Sequence, residues 1–161
     1  IALPKDIPCV IAAAGIIQNG SKPGFSSEGP CYWEDVKFYN DYTKEKPLHK
    51  PDVTGCIGGY PVWGRPQMAK LAPRRMKLIS DEGNSFGLIQ GPQGNSFSGP
   101  HAAGVAALML SVNQGLHPWQ VKVLMEKTCK DLGKPGRDTQ YGAGLLDALE
   151  AVRAAKRESA N

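Results

Sequence analysis

Read as a string of apolar and polar positions, the chain changes texture twice. Residues 7–17, Ile-Pro-Cys-Val-Ile-Ala-Ala-Ala-Gly-Ile-Ile, are continuously apolar and lie between Pro4 and the Asn19-Gly20 turn signal. Such a run predicts a strand covered on both faces, as in a parallel sheet between helices, although its Ala-rich middle also suits a buried helix. Residues 18–94 are interrupted by Gly and Pro so often that only short strands fit, at 52–56, 76–80 and 86–90. After Gly94 the pattern turns helical. Residues 102–110 are apolar on every side, which predicts a central buried helix with Gly104 at a close approach to a neighbour. His117-Pro118 then places a cap before a first-turn proline, and Val121, Leu124, Met125, Thr128 and Cys129 repeat at helical spacing up to a stop near Gly133. Leu145, Leu149 and Val152 mark a third helix ending in Lys156-Arg157-Glu158. Strands followed by packed helices define an α/β chain.

Composition narrows the function classes. At 161 residues with 41% hydrophobic content, the chain can bury a core, and its 19 Gly and 13 Pro make it loop-rich without being of low complexity. The longest apolar stretches, 10–17 and 102–110, are too short to cross a bilayer, so no membrane span is expected. The net charge of +4 is mild. Its two basic concentrations, Lys70/Arg74/Arg75/Lys77 and Arg153/Lys156/Arg157, lack the interleaved aromatics of a nucleic-acid surface and read as a solvated loop and a helix end. Cys9, Cys31, Cys56 and Cys129 form no C-x-x-C pair, and His49, His101 and His117 have no partner at metal-ligand spacing. No metal site is therefore expected. Four cysteines permit two disulfides without requiring them. The first residue is Ile and no signal peptide precedes it, so the start reads as a cut.

A short echo sets two serines in competition. Gly83-Asn-Ser-Phe-Gly87 and Gly94-Asn-Ser-Phe-Ser98 share four residues. Ser85 sits in a G-x-S-x-G pattern, which has mechanical meaning only between an incoming strand and an outgoing helix. Its exit, Gly87 to Pro92, cannot be helical with Gly and Pro so placed, so Ser85 reads as a loop-to-strand turn and an esterase built on it is disfavoured. Ser96 opens the long helix, where free N–H groups and the macrodipole favour an oxygen that turns negative during acyl transfer. Taken locally, a plain helix cap is the better account of Ser96.

The wider sequence around Ser96 decides between these. Gly94-Asn-Ser-Phe-Ser-Gly-Pro-His-Ala-Ala-Gly104, followed by an Ala/Leu helix, resembles the nucleophile segment of subtilisin-like serine proteases. Leu3-Pro to Gly15, Phe25-Ser-Ser-Glu-Gly-Pro30, Lys50-Pro-Asp-Val53, the stretch 116–123 and Tyr141-Gly-Ala-Gly-Leu-Leu-Asp147 follow in the family's order. The resemblance implies a C-terminal portion of a three-layer α/β fold with a mainly parallel sheet, a central helix and two closing helices. It spans residues 1–30, 50–57 and 91–153, leaving 31–49 and 58–90 as insertions and 154–161 as a polar tail.

By the same resemblance, Ser96 is the nucleophile of a serine endopeptidase and its backbone N–H faces the oxyanion. Asn95 replaces the family's Thr and could assist there through its amide; Phe97 and Phe25 would line the leaving-group side of the cleft. The family's Asp, His and oxyanion Asn precede the strand at 7–14, so they belong to a missing N-terminal part of the same domain. His101, five residues past Ser96, lies about 140° around the helix and reads as packing, His117 as a cap, His49 as part of an insertion. The implied partner is a peptide or protein substrate, with neither nucleic acid nor membrane. No organic cofactor is implied; structural calcium is common in the family, and Asp52 matches a position near a weak cation site, but one carboxylate makes no metal site. A secreted location is favoured by resemblance only. The isolated chain is expected to be inactive. The Asn95 change and the insertions also suit a non-catalytic subtilase-like binding module.

Overall fold

The computed structural model describes residues 6–34, 36–37, 41–59, 61–83, 86–91 and 93–158. Two parallel strands, β1 (Ala13–Ile16) and β2 (Val53–Cys56), pair Ala13 with Val53 and Ile16 with Cys56. The expected strand at 7–17 is thus shorter than its apolar run. Pro8 has no N–H to give a ladder, the Val10 N–H closes a turn on Ile7 O at 3.2 Å, and the Ala12 N–H bonds to the Asp52 carboxylate instead of a strand partner. Strand geometry starts only beyond these diversions. All four β1 residues are buried, as a strand covered on both faces requires.

The segment 144–146 extends the pairing on the far side of β2. The Thr54 N–H donates to Gly144 O at 2.8 Å, and the Leu146 N–H donates to Thr54 O at 2.9 Å. Gly142 makes this return possible. Its φ of +65° suits a residue without a Cβ, and a Cβ there would stand 2.5 Å from Asp52 O.

Residues 58–90, expected as an insertion of short strands, form a separate antiparallel sheet of order β3-β5-β4. It comprises β3 (Val62–Gly64), α1 (Pro66–Leu71), β4 (Lys77–Asp81) and β5 (Gly87–Gln90). Strands β4 and β5 match the sequence pattern, whereas β3 and α1 escaped it: three and six residues are too few to show a period. Pro66 at the first turn starts α1. In the other expected insertion, Cys31 and Leu48 exchange backbone hydrogen bonds at 2.9 and 2.7 Å, and Trp33 meets Tyr42 edge to face.

Three helices complete the core: α2 (Asn95–Val112), α3 (Pro118–Lys127) and α4 (Ala148–Glu158). The core joins Ala13 and Val53 of the sheet to Val105 and Met109 of α2, Leu124 and Met125 of α3, and Ala151 and Ala155 of α4. Burying a side chain such as Met109 contributes about 1.5–3 kcal/mol. Helix α3 ends sooner than Gly133 because the Thr128 hydroxyl donates back to Leu124 O at 2.9 Å and Lys130 pairs with Leu145 through two backbone bonds of 2.8 Å. His117 caps it as expected, its N–H donating to the Gln120 side chain at 2.8 Å. Ala154 and Ala155 are buried in α4, so the expected polar tail begins later than residue 154.

Helix α2 is central, packing on both core strands and on α3 and α4, but its burial is one-sided. Ser98, Ala102, Val105 and Met109 form the buried stripe, while Leu108 is 52% exposed. Gly104 is exposed and a Cβ there would meet nothing within 4 Å among the described residues, which corrects the expected close approach. The tight contact lies elsewhere: a Cβ on Gly55 would sit 3.1 Å from Ser98 O. No helix among the described residues is long and apolar enough to cross a membrane.

Candidate active site

Ser96 is the second residue of α2, on an exposed corner. The loop before it is held on two sides. The Gly94 N–H donates to Ile57 O at 2.8 Å, just beyond β2, and Gly91 (φ +113°) passes so close to Arg75 that a Cβ would stand 2.2 Å from Arg75 O. Gly94 O in turn accepts the Phe97 N–H at 2.9 Å, closing the first turn. Neither the N–H nor the hydroxyl of Ser96 has a hydrogen-bond partner among the described residues. Position alone gives this serine a free donor in its own backbone and the positive end of an 18-residue helix.

Pro100 adds a local consequence. It stands inside α2, four residues after Ser96, where an ordinary residue would donate its N–H to Ser96 O. The helix therefore lacks that bond at the serine. The turn is held instead by the Ser98 hydroxyl, fully buried and donating to Asn95 O at 3.0 Å.

The other expected site residues separate. Asn95 turns inward, its amide donating to Ala13 O at 3.4 Å while its Oδ1 is buried without a partner. The amide expected near the oxyanion is thus engaged with β1. Phe25 is 55% exposed and walls a cavity of about 540 Å³ with Arg75, Met76, Gly91, Gln93 and Gly94. Phe97 is half-buried and is not among these walls. Ser85 lies outside the described residues.

None of the three histidines takes up a position that its sequence context failed to suggest, except His101. Expected as packing, it is exposed and lines a second cavity of about 390 Å³ with Cys56, Pro100 and Leu145. Its helix neighbours Gly104 and Leu108 are also exposed, so this side of α2 is open and His101 stays accessible.

Asp52, singled out as a possible neighbour of a cation, is fully buried and already saturated with protein donors. It accepts the Ala12 N–H at 2.6 Å, Lys50 Nζ at 2.6 Å, Lys122 Nζ at 2.7 Å and an Arg137 guanidinium nitrogen at 3.1 Å. A calcium ion needs several oxygen ligands, and three cations around one carboxylate do not fit it. No group of three or more His, Cys, Asp or Glu comes together to hold a metal among the described residues. All four cysteines are free thiols.

A parallel strand pair covered by helices, with an exposed serine at the start of the central helix, defines an α/β scaffold in which the turn bearing that serine meets the sheet through Ile57 and Gly55. The sequence pattern of the subtilase family matches residues 1–144, and the chain belongs to that family. It is 33% identical over 146 residues to a probable subtilase-type serine protease of Deinococcus radiodurans, covering 89% of this chain and 17% of that protein. A calcium-dependent protease of Trichormus variabilis is 30% identical over 154 residues, covering 91% and 21% respectively. Among solved structures, a protease from Pseudoalteromonas arctica superposes with a TM-score of 0.55 at 21% identity, over 95% of this chain and 38% of that one; this likeness concerns the fold. The chain spans about a fifth of the length of the curated relatives it matches.

Proposed function

We propose that the chain is the nucleophile-bearing, C-terminal part of a serine endopeptidase domain, with Ser96 attacking the peptide carbonyl. The observation that carries this reading is an exposed Ser96 at the start of α2 whose hydroxyl and N–H both lack a hydrogen-bond partner among the described residues. A base supplied by the preceding part of the domain removes the hydroxyl proton as Oγ bonds to the carbonyl carbon. The Ser96 N–H then donates to the oxyanion, and that base returns the proton to the leaving amine as the acyl-enzyme forms. Water hydrolyses the ester by the same route. Phe25 contacts substrate across the adjoining cavity. Asn95 acts as a positioning residue, tying the first turn of α2 to β1.

Support comes from the family match, from relatives named as proteases and from the absence of a histidine on the Ser96 side of α2: His101 lies about 140° around the axis. A fluorophosphonate probe tests the reading in the complete domain. Labelling at Ser96, lost in Ser96→Ala, is expected. Labelling at Ser85, or none at all, overturns it and leaves a binding module. The 161-residue chain by itself is expected to cleave no faster than its Ser96→Ala variant, because removing the base costs a serine nucleophile many orders of magnitude.

A further inference from the structure

One member of the basic cluster that the sequence suggested was a solvated loop, Arg75, lines the cavity at Gly94, two residues before Ser96. Arg75 and Met76, both from the 58–90 insertion, share that cavity's wall with Phe25 and with Gly94, two residues before the serine. The insertion carries Arg65, Lys70, Arg74, Arg75 and Lys77 against only Asp81 and Glu82. All five basic residues are exposed, and none makes an ion pair among the described residues. Elsewhere Lys22, Lys50, Lys122, Arg137 and Arg153 each meet a carboxylate within 3.3 Å, although other surface cations such as Lys46, Lys127 and Lys156 make no ion pair among the described residues.

We infer that the cavity walled by Arg75 and Phe25 is a substrate subsite that selects an acidic side chain. This rests on the reading of Ser96 as nucleophile. A glutamate or aspartate near the scissile bond lays its methylenes on Phe25 and Met76 and sets its carboxylate against Arg75. An uncompensated guanidinium offers a planar, two-pronged donor to a carboxylate. The surrounding positive field raises the local concentration of acidic peptides and disfavours basic ones. Geometry ties the subsite to the chemistry. The close passage of Gly91 against Arg75 O fixes the insertion to the very loop that leads into Ser96. A peptide lying along that loop therefore meets Arg75 and the nucleophile together.

The test compares peptides that differ only by Glu or Gln at each position flanking the scissile bond, read as kcat/KM in the complete domain. At one position a preference for Glu of about 1.5- to fivefold is expected, the range of an exposed charge pair. Arg75→Ala should remove that preference and Arg75→Glu should invert it, whereas Arg74→Ala, outside the cavity wall, should retain it. A Glu/Gln ratio unchanged by either Arg75 variant overturns the subsite, as does an equal loss in Arg74→Ala, which would show a diffuse field. Fluorescence anisotropy of the same peptides on Ser96→Ala protein gives a readout free of turnover. Labelling of Ser96 with no Glu preference sinks the subsite alone. Absent labelling with preserved Arg75-dependent Glu binding sinks the nucleophile reading alone.

Discussion

Lys50 Nζ stands 2.6 Å from Asp52 Oδ2, and both side chains are wholly buried. The remaining Lys50 contact, to Val10 O at 2.5 Å, anchors the turn before β1, while Asp52 reaches Ala12, α3 through Lys122 and the 131–144 loop through Arg137. The 10–12 turn, α3 and the 131–144 loop thus converge with Lys50 on one carboxylate, directly before β2.

Removing one partner of this pair should be severe, because the other is left buried and uncompensated. Asp52→Asn should lower stability by about 3–5 kcal/mol, read by thermal melting of the complete domain. Lys50→Met, which removes the charge while Lys122 and Arg137 still face Asp52, should cost less. Equal losses in the two variants would show that Lys122 and Arg137 contribute little.

The same carboxylate sets a pH dependence. Burial opposes ionisation of Asp52, but the Ala12 amide and the Lys122 and Lys50 ammonium groups outweigh it, so its pKa is held below the ordinary carboxylate value. As pH falls the unfolded chain takes up this proton first. The contribution is therefore complete above the unfolded pKa of about 3.9 and is lost as pH falls from there through the lowered folded value. Below about pH 4, melting temperatures of wild type should fall more steeply than those of Asp52→Asn. Parallel curves would remove Asp52 from the acid response.

Much of this was legible in the sequence, and where it was not the reasons are physical. Strands β2, β4 and β5, the α3 cap and the segment around Ser96 follow from local signals that tertiary contacts reinforce. The extent of β1 does not, because apolar residues 7–12 spend their backbone groups on turns and on Asp52, whose buried role nothing in a lone Lys-Pro-Asp announces. One-sided burial of α2 is hidden for a related reason: an all-apolar helix carries no record of which face its own chain covers. The inward turn of Asn95 depends on Ala13, 82 residues away, and is likewise invisible locally. Arg75 could have been suspected from the basic cluster, but only the return of Gly91 beside it places it near Ser96.

Thiol reactivity should divide the cysteines. Burial, aided by Glu126 and Asp147, pushes Cys129 up to about 12, and its Sγ donates to Met125 O at 3.2 Å. Burial also raises Cys31, whereas Cys9 is exposed. The thiolate is the reactive form. Iodoacetamide at pH 8 should therefore modify Cys9 while sparing Cys31 and Cys129 until the fold is opened with denaturant, as peptide mass mapping would read. Early alkylation of Cys129 in the folded protein would contradict its packing against the core.

Three glycines rank by the room a methyl group would find: Gly15 and Gly55 at the seam between the core sheet and α2, and Gly24 in a loop away from it. On Gly24 it would meet nothing within 4 Å. On Gly55 it would lie 3.1 Å from Ser98 O and 3.2 Å from Ser98 Cα, backbone of the first turns of α2, which can give way only by moving the helix start. On Gly15 it would fall 1.7 Å from Ile57 Cγ2, a wholly buried, β-branched side chain with little rotamer freedom. Alanine should therefore be nearly silent at 24, cost about 1–3 kcal/mol at 55, and cost more than that at 15. Position 55 also has a functional arm. Pushing Ser98 away carries the turn bearing Ser96 by a few tenths of an ångström, and since a 1 Å misplacement of reacting groups costs about a hundredfold, fluorophosphonate labelling in Gly55→Ala should slow several-fold at temperatures where the variant remains folded. Thermal melting and labelling rates measured on the same three variants separate the two effects. A Gly55→Ala variant that melts lower yet labels at the wild-type rate would show that α2 absorbs the strain without shifting Ser96, and would break the proposed coupling between the core sheet and the nucleophile.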